Sequence, residues 1–382
     1  MSFLGRYADL RLADGRRRVV RDGYLPRREL RTGLGGIEVQ APRARDREAG
    51  GIKFSSAILP LYLRRSRSIE ELLPWLYLKG VSTNEFNKAL QALLGPEAGG
   101  LSPSTIARLK AEWEEEYRAW RKSDLSNKRY VYLWADGIYC GIRGEEERLC
   151  MLVIIGVRAD GVKELVALED GYRESTESWE TVLRSLKERG LKQGPLLGIG
   201  DGALGFWKAL RKVFPGAKEQ RCWRHKLVNV LDKFPKSMRG QVLEALREIW
   251  QAPSLKDAQK AWNRFVGMYK AKYPKAVEAL EKDKVGLLTF FEFPAEHWRS
   301  IRTTNPIEST FVTVRRRTSR VRGGVTRGTM PALVYKLVQA ATKNWKKLYG
   351  SQRLGEAVRG VRFVDGKSKV AKRSIVEEER RL

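Results

Sequence analysis

The chain has 382 residues, more than one compact core ordinarily holds, so two or three domains are expected and one can enclose a catalytic site. Lysine and arginine together number 74 against 45 acidic residues, a formal charge of +29, which points to a polyanionic partner such as DNA, RNA or an anionic lipid surface. No stretch approaches the roughly 20 apolar residues of a spanning helix, and the opening MSFLGRYADLRLADGRRRVV lacks the apolar run of a secretory signal, so a cytoplasmic protein without membrane attachment is expected.

The first fifty residues contain twelve arginines and no lysine, interrupted by glycine and proline, with a short alternating run at 36–39. We read residues 1–65 as a basic, partly β arm. From Ser68 the texture becomes helical: IEELLPWLYLKG is broken at Gly80, and Ser82-Thr83-Asn84-Glu85 has capping-box form before Phe86, Leu90, Leu93 and Leu94. Ser102 and Pro103 then suit a helix start, followed by Ile106, Leu109, Trp113, Tyr117 and Trp120 along one side. Three short helices over 66–122 have the form of a helix-turn-helix module. A plain packing domain is the alternative, and Arg64, Arg65, Arg67, Arg108 and Lys110 favour DNA contact.

A polar linker, RKSDLSNKR, precedes three runs with strand character, YVYLWADGIYC, LCMLVIIGVRA and VKELVALEDG, expected to pair antiparallel. An amphipathic helix, TESWETVLRSLKERG, leads to PLLGIGDG, whose apolar run predicts a strand buried on both faces, and a further helix is expected over 203–212. The switch from meander to crossover helix marks an α/β core. From KEQRCWRHK to about Trp298 nearly everything reads helical, with Trp223, Trp250 and Trp262 expected in its core rather than against bases.

Two aspartates stand out. Asp136 in WADG and Asp201 in GIGDG each follow apolar residues, are expected at strand ends, and precede a glycine that would leave room for substrate backbone or phosphate. Asp-Gly at Asp14 and Asp160 reads as simple turns, so strand-end position supplies the discrimination. Convergent carboxylates repel unless a hard cation joins them, which implicates Mg2+, with Mn2+ as substitute. A third acid, Glu308, lies in RTTNPIESTFVTVRRR beside Asn305 at the start of a helix and is alone among acids between Arg299 and Glu356. It fits either a salt bridge or a metal ligand presented to DNA. If the three meet, two-metal phosphoryl transfer follows, one ion activating a water or 3′-hydroxyl and the other stabilising the leaving oxygen. Arg315, Arg316, Arg317, Arg320, Arg322 and Arg327 follow with no acid among them, a concentration expected to contact DNA backbone.

Cys222 and His225 form Cys-x-x-His. Structural zinc needs about four ligands, and with only two histidines, His225 and His297, a packed thiol and a hydrogen-bonding imidazole are expected instead. Cys140, Cys150 and Cys222 are an odd set without disulfide-scaffold spacing and are expected to be thiols.

The stretches YVYLWADGIYCGIR, YRESTESWETVLRSLKERGL, GIGDGALGFWKAL, RCWRHKLVNVL and RTTNPIESTFVTVRRRTSRVRGG together resemble the Mutator-like bacterial insertion-sequence transposases, DDE transposases with a ribonuclease H-like core. The resemblance implies an α/β fold with a ribonuclease H-like mixed sheet over 128–382, an all-helical insertion at about 226–300, and catalytic, metal-holding roles for Asp136, Asp201 and Glu308 with two ions. The 107 positions between Asp201 and Glu308 agree with such an insertion. It further implies that Cys222, His225 and Asn305 lie beside the active site, and that the partners are terminal inverted repeats and target DNA, bound by a homodimer or larger oligomer on the nucleoid. Two departures are noted: Phe311 stands where a polar residue often follows the glutamate, and the chain is read as starting without part of the usual N-terminal region, which would weaken end recognition. A structure-specific nuclease and a transposase-derived regulator without turnover are the rival functions.

Overall fold

The structure, a computed structural model, describes residues 3–32, 35–48, 51–56, 103–142, 147–171, 173–202, 204–318 and 326–369. The chain forms two compact units, Met1–Leu109 and Lys110–Leu382. The helices expected between Ser68 and Leu94, and with them most of the helix-turn-helix reading, lie outside the described residues, as do Arg320 and Arg322.

In the first unit the expected β character is present. Strand β1 (Val19–Tyr24) pairs antiparallel with β4 (Pro42–Asp46), and β2 (Arg28–Thr32) with β3 (Gly35–Val39). Arg18 grips Asp46 through two bonds of 2.9 and 3.1 Å, tying the segment before β1 to the end of β4 with planar fork geometry.

After helix α1 (Pro103–Arg121), the second unit is built on a five-stranded mixed sheet. Strands β5 (Tyr130–Cys140), β6 (Leu149–Arg158) and β7 (Lys163–Gly171) form the expected antiparallel meander; β8 (Leu197–Gly200) and β9 (Lys218–Arg221) run parallel to β5 on its other side. The meander strands β5 and β6 are buried almost throughout, because helices cover both faces and alternation then gives way to continuous apolar runs.

The period of two in β5 sorts its residues. Leu133 and Ala135 join Trp179, Leu183 and Leu186 of helix α2 (Thr176–Glu188) and Phe206 and Leu210 of helix α3 (Leu204–Val213) in the main core. Tyr132, Trp134 and Asp136 belong to the opposite set. Tyr132 meets His297 at 2.8 Å and Trp134 donates to the Ser300 carbonyl at 3.2 Å, so this face is covered by the chain leading into Glu308. A bulge between Tyr130 and Tyr132 returns Tyr130 to the first set.

Between β9 and Glu308 the chain is helical, as read from sequence: α4 (Trp223–Leu231), α5 (Arg239–Trp250), α6 (Leu255–Tyr269) and α7 (Pro274–Glu281) precede shorter turns. Trp223 and Trp262 are buried and meet edge to face, and Trp223 also lies tilted against Trp250, which makes them packing residues. Helix α8 (Asn305–Thr318) packs against β5, and α9 (Met330–Thr342) against β7. Among the described residues no helix is long and apolar enough to cross a membrane.

Candidate functional site

Asp136 is not at the end of its strand as expected. β5 continues to Cys140 because Asp136 through Cys140 keep pairing with β6, from Val153 to Leu149. It does lie where the shorter neighbour ends: the parallel pairing stops at Ala135 with Gly200, so Asp136 is the first β5 residue beyond β8. Asp201 follows β8 directly, and the two aspartates therefore emerge side by side at the carboxyl end of a parallel pair.

The glycines after them serve the fold rather than a substrate. A Cβ on Gly137 would stand 2.5 Å from Oε1 of Glu174, and one on Gly202, whose φ is +98°, would fall 0.4 Å from the Arg221 guanidinium. The space expected for a phosphate is thus filled by two side chains of the protein itself. At Asp14 and Asp160, by contrast, the following Gly15 and Gly161 have φ of +81° and +84°, the turns anticipated.

The sheet brings Asp136 and Asp201 together with Glu174: one carboxylate oxygen from each lies within 4.8 Å of the others. Burial, then the charges of Asp201 and Glu174, push the Asp136 carboxyl up to about 7. Burial and Asp201 push Glu174 up to about 7 as well. Three carboxylates in so small a volume cannot all ionise without a cation, and an all-oxygen donor set suits a hard one. Sequence reasoning missed Glu174. It lies in the motif YRESTESW, immediately before the Ser175 cap of α2, where nothing in the local pattern distinguishes it from a helix-capping acid.

Glu308 belongs to a second cluster, with Cys222 and His225, whose donor atoms also lie within 4.8 Å of one another. Thr304, fully buried, ties it together: its amide donates to Cys222 Sγ at 3.2 Å and its hydroxyl to Glu308 Oε1 at 2.7 Å. The same hydroxyl lies 3.2 Å from the thiol and 3.5 Å from His225 Nδ1. With one proton to give, it can serve only one of these acceptors at a time. Arg224 approaches the other oxygen of Glu308 at 3.1 Å.

The cysteine and histidine act as a pair. The hydrogen bond with Cys222, reinforced by the charges of the thiolate, Asp136 and Asp201, lifts the His225 imidazole to about 9 against the opposing effect of burial. Burial works against a thiolate at Cys222, but hydrogen bonds from His225 and Thr304 outweigh it and draw the thiol below its ordinary value. His225 thereby connects the two clusters electrostatically. The other histidine is structural: buried His297 accepts from Tyr132 at Nδ1 and donates to the Gly350 carbonyl from Nε2 at 2.9 Å. All three cysteines are buried, and none is in a disulfide.

The predicted triad is therefore divided, Asp136 and Asp201 in one cluster and Glu308 in its neighbour. Asn305 is exposed at the start of α8, and Phe311 is apolar because it is wholly buried. Of the proposed DNA-contacting residues, Arg315 is exposed with its guanidinium 5.8 Å from the Phe311 ring, Arg108 is exposed and Lys110 partly so; Arg316 and Arg317 have no described side-chain placement. Arg327 is bound to Asp170 at 3.1 Å.

The sequence pattern described as "Transposase, Mutator family" matches residues 6–348 of the chain. A transposase for insertion sequence element IS6120 of Mycolicibacterium smegmatis is 54% identical over 278 residues, 73% of this chain and 85% of the relative. The transposase for element IST2 of Acidithiobacillus ferrooxidans is 49% identical over 279 residues, 73% of this chain and 94% of the relative. That for IS905 of Lactococcus lactis is 32% identical over 294 residues, covering 77% and 72% respectively.

Proposed function

The chain belongs to the Mutator family of transposases, and from that membership we propose that it binds insertion-sequence ends in double-stranded DNA, cleaves them to free 3′-hydroxyls and joins these to target DNA. In this reading Asp136, Asp201 and Glu308 are the catalytic acids and hold two Mg2+ ions, with Mn2+ as substitute. The observation that carries it is the convergence of Asp136 and Asp201 from separate strands on a partly buried, all-carboxylate point. When bound, the ions would supply Lewis acidity to the scissile phosphate and lower the pKa of a water or 3′-hydroxyl.

The protein's own groups do the rest. β5 and the end of β8 fix the two aspartates on a rigid frame. His225, cationic near neutral pH, favours ionisation of the neighbouring Asp136 and Glu174 without outweighing their burial, and offers positive charge to an approaching phosphate. Glu308, on a helix packed against β5, reaches the aspartates by giving up its Thr304 and Arg224 contacts. Exposed Arg224 and the arginines from Arg315 to Arg322, with Arg108 and Lys110, contact phosphates and set orientation. Pairing two ends requires at least a homodimer. The mixed sheet, three antiparallel strands followed by two parallel ones with helices inserted before Glu308, supports a ribonuclease H-like core of the DDE type.

The test supplies purified protein with a duplex carrying the element's ends and a plasmid target. Expected are Mg2+-dependent nicking and joining of pre-cleaved ends by the wild type, and neither by Asp201→Asn. Hydrolysis without joining would identify a structure-specific nuclease, and binding without turnover a regulator.

A further inference from the structure

We propose that Glu174 is a third carboxylate ligand of the cation held by Asp136 and Asp201, so that this ion occupies a site complete without Glu308. The inference rests on the metal-dependent reading above and adds to it a ligand that the predicted triad lacks.

Distance is the first argument. Two oxygens that share a magnesium-like ion at about 2.1 Å can stand no more than about 4.2 Å apart. The oxygens of Asp136, Asp201 and Glu174 already lie within 4.8 Å of one another. Three oxygens on one octahedral ion include cis pairs only about 3.0 Å apart, so closing around it demands pairwise approaches of no more than about 1.8 Å, a distance that carboxyl side-chain torsions can supply.

The second argument is how Glu174 is held there. Gly205, at the start of α3, admits the backbone: a Cβ would stand 2.4 Å from the Glu174 carbonyl oxygen and 2.6 Å from the carbonyl carbon of Ser175. Ser175 then caps α2 by accepting from the Ser178 amide at 3.1 Å, which fixes Glu174 as the residue entering the helix. At the other end Gly137 admits the carboxylate, which lies where a side chain on β5 would otherwise be. Two glycines on separate elements thus open the path of one acid toward two others.

The third argument is what Glu174 lacks. Glu308 has Thr304, Arg224 and His225 about it. Among the described residues no lysine or arginine forms an ion pair with Glu174, and its hydrogen-bond donor is the Tyr139 hydroxyl at 3.3 Å. A glutamate kept for packing or for an ion pair would be placed against a cation or outward to water. This one is aimed at two like charges, an arrangement that a shared cation converts from repulsive to attractive.

The experiment is Mn2+ titration of the full chain without DNA, by calorimetry and by electron paramagnetic resonance of the bound ion, with thermal melting of each variant in chelator. Asp136→Asn and Asp201→Asn should abolish tight binding. Glu174→Gln should weaken affinity at least about tenfold, since ligand charge sets affinity, and Glu308→Gln should change it less than about twofold. In chelator, Glu174→Gln should melt no lower than wild type because a like-charge repulsion is gone. Gly137→Ala crowds the Glu174 carboxylate without removing it, and must weaken binding as well; it decides the matter if Glu174→Gln fails to fold. Wild-type affinity in both Glu174→Gln and Gly137→Ala, with binding lost in the aspartate variants, would overturn the role of Glu174 and leave the metal-dependent reading standing. Absence of Mn2+ binding by the wild type would remove both.

Discussion

The two acid clusters of the second unit differ in how their charges are balanced. Asp136, Asp201 and Glu174 are three like groups, and burial plus mutual repulsion, set against the charge of His225, hold two of them near half-protonation at neutral pH. Glu308 stands instead with a threonine hydroxyl, an arginine and the Cys222–His225 pair, which neutralise it where it is. The first cluster gathers like charges that a shared cation would join, whereas the members of the second hold one another. A site that suits a ligand and a latch that holds a group ready are thus built from the same residue types, told apart by partners.

The largest effect expected from breaking this contrast is on the like-charge side. Asp201→Asn should reduce DNA end cleavage on the order of 10^3-fold or more, because a direct ligand is lost. Thr304→Val keeps volume but removes a hydroxyl that Glu308 must release to reach the aspartates, so end cleavage should change by less than about tenfold, far less than in Asp201→Asn. Cation affinity measured without DNA should be unchanged in Thr304→Val. If the two variants lost cation binding equally, the distinction between the clusters would fail.

Much of this was legible before any coordinates. The apolar run at 197–200 and the amphipathic helix at 176–188 are local patterns, and the run placed Asp201 at a strand end. What stayed hidden depends on tertiary neighbours. Glu174 looks like an acid beside a helix cap until the fold brings it to Gly137, and Thr304 looks like one of two adjacent threonines until Cys222 meets its amide. Asp136 was expected to terminate β5 because Asp-Gly usually breaks a strand; the long antiparallel partner β6 carries the strand past it. The glycine after Asp201 was read as room for a substrate, while its left-handed φ and Arg221 account for it within the fold.

A smaller and more diagnostic effect is on pH. Asp136 and Glu174 are raised to about 7 in the fold, so between their unfolded values near 4 and about 7 the folded cluster retains protons that the unfolded chain releases. Stability in chelator should therefore fall as pH rises through that window. His225 is raised from 6.5 to about 9, so its contribution is complete below 6.5 and is lost as pH rises through 9. Melting temperature against pH should show both slopes. Excess Mg2+ or Asp201→Asn should flatten the lower one, and Cys222→Ala the upper one. A single slope affected alike by all three changes would mean that the clusters titrate as one.

The smallest change expected is in the first unit. Arg18→Lys replaces a two-bond fork on Asp46 by a single point charge, and should lower stability only slightly while leaving Mn2+ affinity unchanged. Denaturant unfolding together with Mn2+ titration checks this.

The most direct test of the central claim is anomalous diffraction from crystals of the protein grown with Mn2+ and a duplex end. The account predicts a manganese peak within about 2.2 Å of carboxylate oxygens of both Asp136 and Asp201. A peak confined to Cys222, His225 and Glu308, or no peak between the two aspartates in DNA-bound crystals, would contradict it.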